Sequence, residues 1–139
     1  MLQEHIKYHP KWRIAKYADV AAYAANAPFE VVEFDGNLLL NEGIAELLLL
    51  LTGGAATAFS NANARLGVGD STAAAAAAQT GLQAASNKTY QAMEAGYPQI
   101  AAQTVTFRAV FGSAAANHAW QEFTVANGAD ARPRTSTAR

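Results

Sequence analysis

The stretch from Gln103 to Phe111 reads Gln-Thr-Val-Thr-Phe-Arg-Ala-Val-Phe, and its alternation restricts the fold more than any other feature. The pattern puts Val105, Phe107, Ala109 and Phe111 on one side and Thr104, Thr106, Arg108 and Val110 on the other, as in a half-buried β-strand. Weaker versions recur along the chain. Trp12 to Tyr17 alternates large apolar with polar or small residues. Phe29 to Phe34 is β-branched and aromatic, and Asp35-Gly36 closes it with a turn signal. Ala64 to Gly69, Lys88 to Met93 and Ala119 to Val125 complete the strand candidates, with Gly96-Tyr97-Pro98 breaking the chain between the last two. Several short strands with turns between them predict a mainly β fold, a β-sandwich-like domain.

One segment has the other period. Ile44, Leu47, Leu48 and Leu51 fall at i, i+3, i+4 and i+7, which predicts an α-helix over about residues 42–52. Asn41 is the expected N-cap, Glu42 and Glu46 suit the first turns, and Gly53-Gly54 supplies the stop. Leu49 and Leu50 widen the apolar stripe, so the helix is expected to be buried on more than one side. Ala18 to Ala27 could form a short helical turn before Pro28. The alanine tract 73–78 suits either a helix or a compact small-residue loop.

The remaining pieces are ends. Residues 1–10 read as an extended N-terminal arm, 11–127 as a single β-rich domain, and 128–139 as a flexible C-terminal tail with Arg132, Arg134 and Arg139. A chain of 139 residues suits one domain.

Composition narrows the function. Hydrophobic residues make up 51% and charged residues only 15%, as befits a folded subunit part-covered by neighbours, or simply an alanine-rich chain. Net charge is −1, which gives no electrostatic footprint for nucleic acid or for an anionic membrane. Without cysteine, disulfides and thiolate metal sites are excluded. The first residues lack a signal-peptide pattern, and the run Leu47 to Leu51 is too short to cross a bilayer, so a soluble product made in the cytoplasm is expected.

Catalytic and cofactor chemistry finds little support. His5 and His9 are four apart, but Pro10 follows and no acidic third ligand is near. Gly67-Val68-Gly69-Asp70-Ser71 lacks the third glycine of a dinucleotide fingerprint and the Gly-Lys-Ser/Thr of a P-loop, and reads as a strand entering a tight turn. Glu30 and Glu33 point to opposite faces of their strand, and Glu42 with Glu46 marks a helix start, so neither pair makes an acid/base dyad. No catalytic residue, cofactor or metal is expected. Trp12, Tyr17, Tyr90, Tyr97 and Trp120 suit a stacking platform for sugars or bases, or core and interface positions. His118 suits the surface or an interface. Trp12, Tyr97, His118 and Trp120 are the candidate interface residues.

Several blocks resemble a known family when taken together. They are Gly36 to Ile44 (Gly-Asn-Leu-Leu-Leu-Asn-Glu-Gly-Ile), Asn61 to Ser71 (Asn-Ala-Asn-Ala-Arg-Leu-Gly-Val-Gly-Asp-Ser), Gln79 to Gln83, Asn87-Lys88, Gly96 to Gln99, Thr106 to Ala109 and Ala119 to Phe123. In this order, over about residues 11–128, they resemble the small virion structural proteins of tailed phages and prophages, labelled decoration or tail-associated. The resemblance implies a non-catalytic assembly subunit located in the virion. Its expected partners are further copies of itself and other virion proteins such as the major capsid or tail proteins, without nucleic acid or membrane. It carries over no catalytic residue. Relatives continue into a closing threonine-rich strand where this chain becomes Ala129 to Arg134, which implies an open sheet edge. A receptor- or glycan-binding module on a virion surface is the alternative.

Overall fold

A computed structural model describes residues 7–36 and 38–128, and the backbone of 137–138. The described chain is mainly β, with antiparallel sheets and two short helices. Contacts divide it into two compact units, Met1–Asn37 and Leu38–Arg139, and the break falls inside the span read as one domain.

The first unit is a hairpin. Strand β1 (Lys11–Lys16) runs into helix α1 (Val20–Ala24) and returns as β2 (Glu30–Asp35). The pairing is antiparallel, from Lys11 opposite Asp35 to Lys16 opposite Glu30. Asp19 caps α1 by accepting from the Ala22 N–H at 2.8 Å, which ends the strand and starts the helix. Because strand side chains alternate, Trp12, Ile14, Val32 and Phe34 share one face, and Lys11, Arg13, Glu33 and Asp35 share the other. None of residues 7–36 is buried.

The second unit holds the core. Strand β3 (Leu38–Leu39) leads into helix α2 (Asn41–Thr52), then β4 (Arg65–Gly69), β5 (Lys88–Ala92), β6 (Gln99–Ala101), β7 (Thr104–Thr106), β8 (Glu122–Ala126) and β9 (Thr137–Ala138). The central sheet has the order β5-β4-β8, while β6-β7 and β3-β9 are two-stranded. Leu40, Ala64, Val68, Leu82, Ala84, Met93, Phe123, Val125 and Ala126 make up the buried apolar set. Every residue of β8 is buried, so this strand is covered on both faces.

The helix is where expected, but its orientation corrects the expectation of a buried apolar stripe. Its buried residues are Gly43 and Glu46, while Leu47, Leu48 and Leu51 are 44%, 56% and 82% exposed. Glu46 faces inward because its carboxylate meets donors that no leucine could satisfy: Oε1 accepts from the Thr57 N–H at 2.7 Å and from Asn127 Nδ2 at 3.1 Å. Asn41 is the first helical residue and not the cap. Leu40 holds the cap position without a side-chain bond, and the Asn41 N–H donates to Ala77 O at 2.9 Å. Gly53 ends the helix in the left-handed region at φ 71°, as expected.

Other boundaries shift for local reasons. Only Thr104–Thr106 of the 103–111 stretch is laddered, against β6. Beyond it the alternation survives in exposure, with Phe107, Ala109 and Phe111 half-buried and Arg108 and Val110 exposed, but no described strand is laddered to it. The last large strand starts at Glu122 and not at Ala119. The alanine tract is a loop, in which the Gln79 amide donates to Ala74 O at 2.9 Å and accepts from the Ala76 N–H at 3.1 Å, taking the backbone groups a helix would need. The expected arm at 1–6 and most of the expected tail lie outside the described residues. Thr137 and Ala138, within that tail, pair with Leu39 and Leu38.

Candidate functional site

Trp12 is held in the hairpin by ring stacking on Phe34, with centroids 6.3 Å apart and planes 17° from parallel. Together with Ile14 and Val32 it forms an apolar patch along one face. The opposite face is ionic: Arg13 Nε lies 3.3 Å from Glu33 Oε1. The second pair, Lys16 Nζ 2.6 Å from Glu30 Oε2, closes the end of the apolar face at the helix end of the ladder. Such exposed pairs contribute at most about 1 kcal/mol each to stability. Their sign pattern carries more information, because β1 has only basic charges and β2 only acidic ones. Next to the other end of the ladder, where Lys11 pairs with Asp35, Tyr8, His9, Pro10, Lys11, Asp35 and Gly36 line a groove of about 380 Å³.

Tyr97 sits in a polar cluster of its own. The Arg108 guanidinium lies 5.5 Å from the Tyr97 ring centroid and donates to the Tyr97 hydroxyl at 3.3 Å. Arg108 Nε also lies 2.7 Å from Glu94 Oε2. Asn61 Nδ2 ties the same turn together by donating to the carbonyls of Tyr97 at 2.7 Å and Glu94 at 2.9 Å.

His118 and Trp120 use other neighbours. His118 Nδ1 donates to Ala119 O at 2.9 Å, since a carbonyl can only accept, which leaves Nε2 to accept from Thr89 Oγ1 at 3.4 Å. Trp120 donates from Nε1 to Ala116 O at 2.9 Å and packs against Phe111, centroid to centroid 4.9 Å, and edge-to-face on Phe123 at 6.4 Å. Thus the structure does not gather the four candidate interface residues into one site: Trp12 belongs to the first unit, Tyr97 has its own cluster in the second, and His118 and Trp120 share the Ala116 carbonyl, which accepts from the His118 N–H at 2.8 Å as well as from Trp120 Nε1.

Glu122, to which the sequence reading gave no role of its own, does more to organise the second unit. Glu122, 2% exposed, accepts at Oε2 from the Gln83 N–H and at Oε1 from the Ala84 N–H, both at 2.7 Å. This carboxylate clamps the loop around Leu82 onto the central sheet. Gly69 lies opposite Glu122 in the ladder, and a Cβ there would collide with the Glu122 carboxylate. Gly67 is equally close to its neighbours, since a Cβ would sit 2.7 Å from Thr124 Cγ2 and 2.8 Å from Tyr90 Cε1. The glycine pair is therefore a strand feature that leaves room for buried side chains across the ladder, consistent with a strand entering a turn. Burial pushes the Tyr90 hydroxyl pKa up; the Leu82 N–H bond opposes this, and Glu122 and Glu42 add to it. The signals available in the sequence were Gly-x-Gly within a strand and a glutamate inside the strand candidate Ala119 to Val125.

Glu46 and Asn127 form the second buried polar knot. Asn127 Nδ2 also donates to Thr57 O at 2.6 Å, so helix α2, the loop at Thr57 and the end of β8 are tied through two side chains. Among the described residues, no three His, Asp or Glu side chains gather to hold a metal ion; His9 lines the groove and His5 lies outside the described residues. No described helix is long and apolar enough to cross a membrane. Compared with known proteins, the chain matches no family model, no curated protein and no solved structure.

Proposed function

We propose that this chain is a non-catalytic assembly subunit of a tailed-phage-type particle, either a capsid decoration (cement) protein or a tail-associated component. The observation that carries the reading is the first unit: an ordered hairpin whose residues 7–36 include no buried side chain. A two-stranded hairpin is marginal in water by itself, and covering its apolar face is what stabilises such an element. Assembly partners supply that cover. The leucines exposed on α2 present a second apolar surface of the same kind. On this reading the sandwich-like closure expected from the sequence is reached in the particle, where neighbouring copies extend sheets that one chain leaves at two or three strands, and the terminal arms reach those neighbours.

A receptor- or glycan-binding role needs aromatic rings that face solvent together. Trp12, Tyr97 and Trp120 each give a face or an edge to a different neighbour, so the assembly reading is the better supported.

Light scattering on the purified chain, with co-sedimentation on purified particles, tests the proposal. A defined oligomer, or saturable binding to the particle surface, is expected. A chain that stays monomeric up to high concentration and is missing from purified particles would overturn it.

A further inference from the structure

The first unit also specifies how copies meet. Its sheet has two strands, so β1 and β2 each keep one edge that is not laddered to another described strand. Each strand is six residues long and contains no proline, and such an edge is a template for pairing with another chain.

Charge decides which edges join. β1 carries Lys11, Arg13 and Lys16 with no acid, and β2 carries Glu30, Glu33 and Asp35 with no base. Placing β1 beside a second β1 sets three cations against three, and β2 beside β2 sets three anions against three. Like charges directly opposite one another are destabilising, whereas opposite charges across a ladder are favourable. The complementary arrangement already exists inside the hairpin, where Lys16 meets Glu30 and Arg13 meets Glu33 in antiparallel register. The same register can repeat between copies only if β1 of one copy pairs with β2 of the next.

We propose that copies of this chain associate head to tail through the hairpin, β1 of each copy adding antiparallel to β2 of its neighbour. Each β2 acid then lies between a basic residue of its own chain and one of the adjoining chain. Because successive strands already alternate in direction, every copy keeps the same orientation, and the faces bearing Trp12, Ile14, Val32 and Phe34 fall on one side of the extended sheet. This makes a continuous apolar belt from patches too small to be stable singly. A contact between two different surfaces propagates, and it closes into a ring when the rotation per copy divides a full turn. The proposal rests on the assembly reading and adds its geometry.

The test is a charge exchange that preserves the hairpin itself: Lys11→Glu, Arg13→Glu and Lys16→Glu combined with Glu30→Lys, Glu33→Lys and Asp35→Lys. Net charge and the pairing within each copy are unchanged. Exchanged copies are expected to assemble among themselves to the wild-type size. In mixtures, an affinity-tagged wild-type chain is expected to retain them at least about tenfold less well than it retains untagged wild-type copies, since every mixed edge sets like charge against like. Free mixing, or preferential mixing, would overturn the head-to-tail geometry, because joined like edges predict attraction between the two forms. Exchanged copies that keep the hairpin's amide protection but stay monomeric where wild type assembles would overturn it too. In each of these cases wild-type assembly persists and the particle-subunit reading stands. Wild-type chains that neither assemble nor bind particles would remove that reading as well.

Discussion

The two units use the same strand chemistry to opposite ends. In the first, charged side chains stay outside, matched across a ladder, and no described side chain is buried. In the second, Glu46 and Glu122 lie inside at 1% and 2% exposure, with their oxygens filled by backbone N–H groups and an amide. A buried carboxylate is tolerated only when its acceptors are filled, and it then fixes whatever supplies the donors. The second unit is therefore tied together by buried polar contacts of its own, whereas the described apolar and ionic side chains of the first stay at its surface. The difference teaches where each unit's specificity resides: in internal polar knots for one, and in strand charge for the other.

The sharpest way to break the contrast is Glu122→Ala. It leaves the buried Ala84 N–H and the part-buried Gln83 N–H without their charged acceptor, and a loss of about 3–5 kcal/mol is expected in denaturant unfolding of the second unit. A loss below about 1 kcal/mol would show that the clamp at Gln83 and Ala84 is not what holds that loop. Next in size is Trp12→Ala, which removes the stacked pair with Phe34 and should cost about 1–2 kcal/mol. Hydrogen exchange should localise that loss to β1 and β2, leaving the amides of β4 and β8 protected as in the parent; equal loss in both units would erase the distinction between them.

Leu48→Asp is expected to change the melting of the isolated chain by no more than about 1 kcal/mol, from lower helix propensity and a negative charge toward the C-terminal end of α2. Unfolding by this substitution would restore a buried apolar stripe and contradict the exposed leucines. The smallest effect concerns pH. Tyr90 in the folded chain holds its proton above the ordinary value, so its contribution is intact below about pH 10 and is lost as pH rises through the folded pKa. Tyr90→Phe should flatten the alkaline limb of the stability profile and leave neutral pH nearly unchanged. An unaltered limb would mean that other groups govern it.

Much of the first unit was legible because its determinants are local. Alternation in 12–17 and β-branched and aromatic content in 29–34 show both strands, and Pro28 marks the end of the helical turn between them. The segregation of charge between the strands can be read directly from the sequence. Trp12 was read as a candidate interface aromatic and stands half-buried on the hairpin's apolar face, but the separation of Tyr97 from His118 and Trp120 was not legible, since nothing in strand spacing says which side chains meet.

The sequence by itself determined the mainly β class, the position of α2 with its Gly53 stop, the strand cores and the sign of each hairpin edge, because these follow from side-chain period and backbone preference within a few residues. Tertiary structure alone decided which face of α2 turns inward, that Gln103 to Phe111 is laddered over three residues only, and that Gly69 exists to admit Glu122. Those outcomes depend on partners far away along the chain, such as Asn127 for Glu46 and Ala84 for Glu122. An apolar period reports which side chains could be buried together; the location of buried hydrogen-bond donors decides which ones are.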